Sequence, residues 1–184
     1  MQPWKSVFSA SEKRQILPGF VYELPPNQDK FNPLIETKEG FIQKISGRDT
    51  RADQYILSTY AGLSPLMARE IVYKASKMTD AHLADCDIEK IWFYFKQVVG
   101  SIKEGVFQPV LLKDRNGKPI EYSFTLIQQY GAAAVCEPFE SPSRLIETFF
   151  KTRSEADRVK QKAADILKLL SNAEARLNKK IALQ

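Results

Sequence analysis

In 184 residues the only histidine is His82 and the only cysteines are Cys86 and Cys136, so bases, nucleophiles and soft metal ligands are scarce. The two cysteines stand far apart, without the short spacing by which a chain folds around zinc. They read as two reduced, partly buried thiols, with no metal and no cofactor. A nucleophilic Cys or Ser needs a base within hydrogen-bond reach. His82 lies in "TDAHLADC", near a helix start, and reads as exposed or lightly hydrogen-bonded. No glycine-rich phosphate loop of P-loop or dinucleotide type occurs. The chain is therefore expected to hold no catalytic residues.

What remains is the chemistry of charge. The formal net charge is +5, and residues 151–184 hold nine Lys/Arg against four Asp/Glu, so this tail alone accounts for it. A one-sided basic segment meets phosphates well, because neutralising them releases condensed counterions. A solvated lysine-rich helix has the same composition, and both readings stand at this level. Arg158, Lys160, Lys162, Lys168, Lys179 and Lys180 are the candidate contacts of the tail.

A second candidate lies in "TYAGLSPLMAREIVYKA", residues 59–75, where Tyr60-Ala61-Gly62-Leu63-Ser64 fills the hydrophobic-x-Gly-hydrophobic-Gly frame of a helix-hairpin-helix turn, with serine in the last place. Such turns bind phosphate through amides at the next helix's N-terminus, where the dipole adds positive charge. Ser64 can cap that helix and Pro65 can open it, although proline removes one donor. Ala68, Ile71, Val72 and Ala75 form a packing face, while Arg69, Tyr73 and Lys77 share another side. Gly62, Ser64, Arg69, Lys74 and Lys77 are the nucleic-acid candidates here. The alternative is a turn that only packs two helices.

The elements that must position these residues are mostly helical. Residues 1–35 contain Pro3, Pro18, Pro25, Pro26 and Pro33, and each disfavours helix in its predecessor, so the segment is expected to run extended. Residues 36–106 read as a helical domain. Thr50 is placed to cap a helix with Ala52, Tyr55, Ile56 and Tyr60 inward. Asp80 or Asp87 is placed to cap another, with Ile88, Ile91, Trp92, Phe95, Val98 and Ile102 along one stripe, ended by Gly105. The aromatic run from Trp92 to Phe95 reads as core packing. Residues 107–140 hold a β-hairpin and connector: Asn116 and Gly117 both accept positive φ, and Ile120, Tyr122, Phe124 and Leu126 are expected on one face. A lone hairpin is marginal in water, so a helix or further strand must support it.

Residues 141–184 return to helix, with Ser141 as cap and Pro142 in the first turn. Ala156, Val159, Ala163, Ile166, Leu170, Ala173 and Leu177 repeat at alternating three and four, an a/d seam that needs a partner helix, either another copy or a returning one. With 43% hydrophobic residues the chain reads as a soluble globular protein. No apolar run approaches the roughly 20 residues that cross a bilayer, and nothing at the start reads as a signal peptide. The fold class is mainly α with a small β-hairpin (α+β): a helix-hairpin-helix-like domain, a hairpin and the start of a long coiled coil.

"LPGFVYELPPNQDKFNP", "GLSPLMAREIVYKA" and "FESPSRLIETFFKTRSEADRVKQKAADILKLL", in this order, resemble the NFACT family across nearly all 184 residues. The resemblance implies a cytoplasmic factor of ribosome-associated quality control that binds the large ribosomal subunit, through rRNA and ribosomal proteins, and tRNA. It supports addition of a C-terminal tail, mainly alanine, to stalled nascent chains. Ribosomal RNA performs peptide transfer there, so no enzyme activity is implied. On this resemblance residues 1–35 leave the family's N-terminal domain, whose tRNA-contacting Asp-Arg pair has no counterpart here, so the segment is not expected to tail proteins by itself. The family's older label implies an alternative, a surface adhesin for fibronectin or fibrinogen. A third reading is a scaffold whose coil self-associates without nucleic acid.

Overall fold

Aromatic side chains on three separate segments organise the first part of the chain. The structure, a computed structural model, describes residues 9–11, 14–16, 21 and 29–182, and by backbone proximity it divides into Met1–Phe95 and Lys96–Gln184. The first unit begins with two short antiparallel strands, β1 (Ser9–Ser11) and β2 (Arg14–Ile16), Ser9 opposite Ile16. The four prolines from Pro3 to Pro26 that underlie the extended reading of residues 1–35 lie outside the described residues. Pro33 does not continue an extended chain. It opens a single 3-10 turn, Pro33–Ile35, because the Asn32 side chain accepts from Leu34 N at 3.0 Å and proline fits the first position of such a turn.

Three helices follow: α1 (Lys38–Ile45), α2 (Ala52–Thr59) and α3 (Pro65–Ser76). Thr37 caps α1 by accepting from Gly40 N at 3.1 Å. The cap of α2 is Arg51, not Thr50, and it offers no side-chain hydrogen bond. A bridge between Arg51 and His82 sets that end instead, with Ala52 N donating to Ala81 O and Leu83 N donating to Thr50 O. Ala52, Tyr55, Ile56 and Tyr60 are all buried, as the sequence spacing requires. The fourth helix, α4 (Ile88–Glu104), is capped by Asp87, whose Oδ1 accepts from Glu89 N and Lys90 N, and Gly105 follows it at φ +69°.

Phe41 of α1 is the hub of the first unit. Its ring centroid lies 5.5 Å from Tyr55 edge-on, 5.9 Å from Tyr60, 5.2 Å from Trp92 and 5.1 Å from Phe95. Such pairs add specificity beyond the area they remove from water. Trp92 and Phe95 are thus core, whereas Phe93, between them, is 61% exposed because it sits on the opposite side of α4. Beside this cluster, Lys44 Nζ donates to both Glu36 oxygens at 2.9 and 2.7 Å and lies 4.4 Å from the Phe31 ring centroid. The pair ties the segment before α1 onto the helix.

The second unit is a three-stranded antiparallel sheet, ordered β4-β3-β5, with one long helix. The strands are β3 (Val110–Asp114), β4 (Pro119–Ser123) and β5 (Ala134–Pro138). The hairpin turn differs from the tight two-residue form. Only Gly117 takes positive φ, +78°, and Asp114 Oδ1 accepts from both Asn116 N and Lys118 N, so three residues close the loop around one carboxylate. The expected face from Ile120 to Leu126 breaks because β4 ends at Ser123, leaving Leu126 48% exposed. The support that a hairpin needs comes from β5, which pairs with β3 from Val110–Pro138 to Asp114–Ala134, and from α5 (Pro142–Ala182). Leu145 and Phe149 of α5 pack on Leu111, with Tyr122 and Phe139 around them.

Removing the hub ring should cost what a buried aromatic normally costs. Phe41→Ala is expected to lower the unfolding free energy by about 3–5 kcal/mol in urea titrations, and the exposed neighbour Ile42→Ala to change it by no more than about 0.5 kcal/mol. A smaller loss at Phe41 than at Ile42 would show that the ring cluster does not hold this unit together.

Candidate nucleic-acid interface

The turn between α2 and α3 is held from both sides. Phe31 N donates to Thr59 O and Ala61 N donates to Phe31 O, both within 2.9 Å, while Gly62 adopts φ +78° with open space where a Cβ would stand. Ser64 caps α3 by accepting from Met67 N at 3.2 Å, and Pro65 occupies the first helical position. Two of the first three positions therefore offer a ligand no amide: Pro65 has none, and that of Met67 is bound within the chain. Gly62 is required by the backbone, since L-residues rarely adopt that φ.

Tyr60, which ends α2, is 1% exposed. Burial, together with the nearby Tyr55 hydroxyl and Glu36 carboxylate, raises its phenol pKa far above the ordinary value of 10.0, yet neither neighbour stands in well-formed hydrogen-bond geometry to its oxygen. Burial likewise raises Tyr55, whose hydroxyl donates to Phe41 O at 3.1 Å. These phenols belong to the core and are not accessible proton donors.

The α3 candidates separate by environment. Lys74 is 18% exposed and turns toward the fully buried Glu70, 3.8 Å away, so its charge offsets a carboxylate inside the fold. Arg69 is half-buried, and its Nε donates to Pro65 O at 3.3 Å. Lys77 is exposed in a left-handed cap at φ +62°, over the Tyr73 ring at 5.6 Å. Arg69, Tyr73 and Lys77 succeed one another at four-residue spacing on one side of the helix.

On α5, Arg158, Lys160, Lys162, Lys168 and Lys179 are exposed, and no ion pair among the described residues engages them. The side chain of Lys180 lies outside the described residues. Two cations that spacing alone did not single out, Lys118 of the hairpin and Arg153 of α5, face a groove of about 770 Å³ with Ile120, Phe149, Thr152 and Ala156 among its walls. The only sequence signal for them was the basic "KDRNGK" tip and one helical turn after Phe149. No prior expectation placed the two segments together, because a groove depends on the docking angle of helix on sheet.

The chemistry-bearing residues are unremarkable in place. His82 is exposed with Nδ1 3.7 Å from Asp49 Oδ1. Cys86 is free, and burial, with the Asp85 charge, raises its thiol pKa, which leaves it protonated and weakly nucleophilic at neutral pH. Cys136 is also free, its Sγ donating to Ile127 O at 3.4 Å. Among the described residues no three His, Cys, Asp or Glu side chains gather as a metal site, and no helix is long and apolar enough to cross a membrane.

The environments give opposite expectations for two nearby lysines. Lys74→Gln should destabilise the protein by about 1–3 kcal/mol in thermal or urea unfolding, because Glu70 stays buried after its cation goes. Lys77→Gln should change stability by at most about 0.5 kcal/mol. Equal, small effects would mean that Glu70 does not depend on Lys74. Tyr60→Phe removes an ill-satisfied hydroxyl and should be neutral or stabilising at pH 7. In the parent chain the unfolded phenols ionise near pH 10 while the folded ones stay protonated. The folded state then binds more protons, and stability should fall above that pH by up to about 1.4 kcal/mol per pH unit per group, less steeply in Tyr60→Phe.

Residues 1–184 match the model of the NFACT N-terminal and middle domains. The chain is 31% identical over 173 residues to the Rqc2 homolog RqcH of Bacillus subtilis, covering 94% of this chain and 28% of that protein. The Rqc2 homolog RqcH of Streptococcus pneumoniae serotype 2 is 24% identical over 167 residues, 90% of this chain and 25% of its own length. The fibrinogen binding protein of Staphylococcus aureus is a structural relative, with TM-score 0.51 and 25% identity over 74% of this chain and 47% of that one. The chain thus spans about a quarter of the curated relatives it matches, and it belongs to the NFACT family.

Proposed function

We propose that this chain is the RNA-engaging middle segment of a ribosome-associated quality-control factor, bringing other domains to a large ribosomal subunit and tRNA so that stalled nascent chains can receive a C-terminal alanine tail. The observation that carries the reading is α5: about seven turns beyond the sheet with exposed cations outside any described ion pair, in a chain similar to RqcH. The segment needs no catalytic residues for this, since it positions RNA and leaves bond formation to the ribosome. On this reading residues 36–106 act as a helical spacer, 107–140 as the support of the coil, and 141–184 as its basic beginning, with the work done in the cytoplasm.

Within the site, the reading weights α5 above the helix-hairpin-helix turn. Arg158, Lys160, Lys162, Lys168 and Lys179 face solvent, as does Lys77, whereas Lys74 is committed to Glu70 and the turn's amides are largely used. Base reading is not part of the proposal, because no base-reading signature accompanies the turn in the sequence.

The test is binding of the chain to purified large subunits and to tRNA across salt concentrations. Affinity should fall by about tenfold or more between 50 and 200 mM salt, and replacing Lys160, Lys162, Lys168, Lys179 and Lys180 by glutamine should flatten the logarithmic salt slope by up to about 4. No binding at low salt, or an unchanged slope in the variant, would overturn it. The structural likeness to a fibrinogen binding protein supports a second reading, adhesion to fibrinogen or fibronectin. Salt-resistant binding to immobilised fibrinogen, without binding to ribosomal subunits, would favour that reading.

A further inference from the structure

The groove between the hairpin tip and α5 lies wholly within the second unit, and its cations come from two elements far apart in sequence. Its volume is about 770 Å³, with Lys118 of the hairpin on one wall and Arg153 and Lys160 of the helix on the other. No ion pair among the described residues engages these three side chains. The carboxylates of the groove are Asp114 and Asp157. Asp114 closes the hairpin loop, its Oδ1 accepting from Asn116 N at 2.9 Å and from Lys118 N at 2.8 Å, which leaves Asp157 as the opposing charge.

We propose that this groove seats the sugar-phosphate backbone of RNA, with Lys118 on one side of the strand and Arg153 and Lys160 on the other. The inference rests on the reading of α5 as an RNA-engaging helix, and it extends the contact to the hairpin, which that reading treats as support alone. Cations on two separate elements that converge on one groove repel each other, and a polyanion entering between them turns the repulsion into attraction. Seven positions separate Arg153 from Lys160, about 10 Å along the helix, so the wall is long enough for consecutive phosphates and not only for a single ion. Lys160 belongs both to this wall and to the exposed cations of α5, so a strand lying along the helix enters the groove without leaving the basic surface. Ile120, 41% exposed, offers apolar surface to a ribose, whereas Phe149, 3% exposed, is too covered to stack on a base. The groove therefore takes backbone and not sequence.

The hairpin tip is braced before any ligand arrives. The Asp114 carboxylate closes its loop, Gly117 turns it at φ +78°, and Arg115 Nε donates to Ala132 O at 3.2 Å, tying the tip to the 3-10 turn Gly131–Ala133 that precedes β5. Lys118 extends from a fixed backbone, and only its own side chain has to be ordered on binding.

Binding of the chain to purified large subunits and to tRNA, followed from 50 to 200 mM salt, tests the groove against an equal change of charge elsewhere on the same unit. Lys118→Gln combined with Arg153→Gln should weaken binding at 50 mM salt by about tenfold and flatten the logarithmic salt slope by about 1.4–1.8. Arg144→Gln combined with Lys151→Gln removes two exposed cations outside the groove and should flatten the slope by no more than about 0.5. Asp157→Asn takes away the opposing charge and should tighten binding about twofold. All five side chains are exposed, so these replacements leave the fold intact. A groove pair that flattens the slope no more than the outside pair overturns the proposal and leaves the α5 reading standing, and so does weaker binding by Asp157→Asn. Failure of the parent chain to bind at low salt defeats the α5 reading itself, and this proposal with it.

Discussion

A helix cannot leave a continuous apolar stripe in water without consequence, and α5 carries one from Leu145 to Leu170. The sheet covers its first turns, through Leu111, Tyr122 and Phe139. Everything else about the second unit follows from that partial cover. The three strands exist as a stable layer because Leu145 and Phe149 shield Leu111, and the helix has a fixed starting direction because it is bound there. Beyond the sheet the same stripe is an unmet demand for another helix, while the remaining surface carries lysines and arginines outward.

The first unit solves a different problem with different means. Helices α1 and α2 have only eight residues each, and aromatic rings converge on Phe41 from α2, from Tyr60 at its end and from the longer α4. Charge is used internally: Glu36 with Lys44, Asp53 with Arg51, and Glu70 with Lys74 place carboxylates in or near the core with a cation at hand. This inward use of lysine in the first unit contrasts with its outward use on α5. It is the reason that a basic residue's identity alone does not mark an anion site.

Much of the architecture was legible in the sequence because it rests on local rules. Ser64, Asp87 and Ser141 cap helices where serine or aspartate precedes a periodic run, and the burial of Tyr55, Ile56, Ile91 and Phe95 follows from helical spacing. The failures share a cause. Arg51 rather than Thr50 begins α2 because a bridge to His82 fixes that end, and β5 was hidden in the apolar run "AAAVC" because its partner strand lies more than twenty residues upstream. The three-residue loop at Asn116 and Gly117 came from the Asp114 carboxylate, a contact that dipeptide preferences do not weigh. In the candidate interface, the α5 cations were read by composition alone, while the approach of Lys74 to Glu70 was not legible because Glu70 gives no sign in sequence that it is buried.

The central claim is that the outward lysines of α5 are the surface that meets ribosomal RNA, and lysine acetylation footprinting of the chain with and without large subunits at low salt tests it most directly. The account predicts that Lys160, Lys162, Lys168 and Lys179 lose reactivity when subunits are present, while Lys74, already turned onto Glu70, is unchanged. Undiminished labelling of all four α5 lysines in the bound state would contradict it.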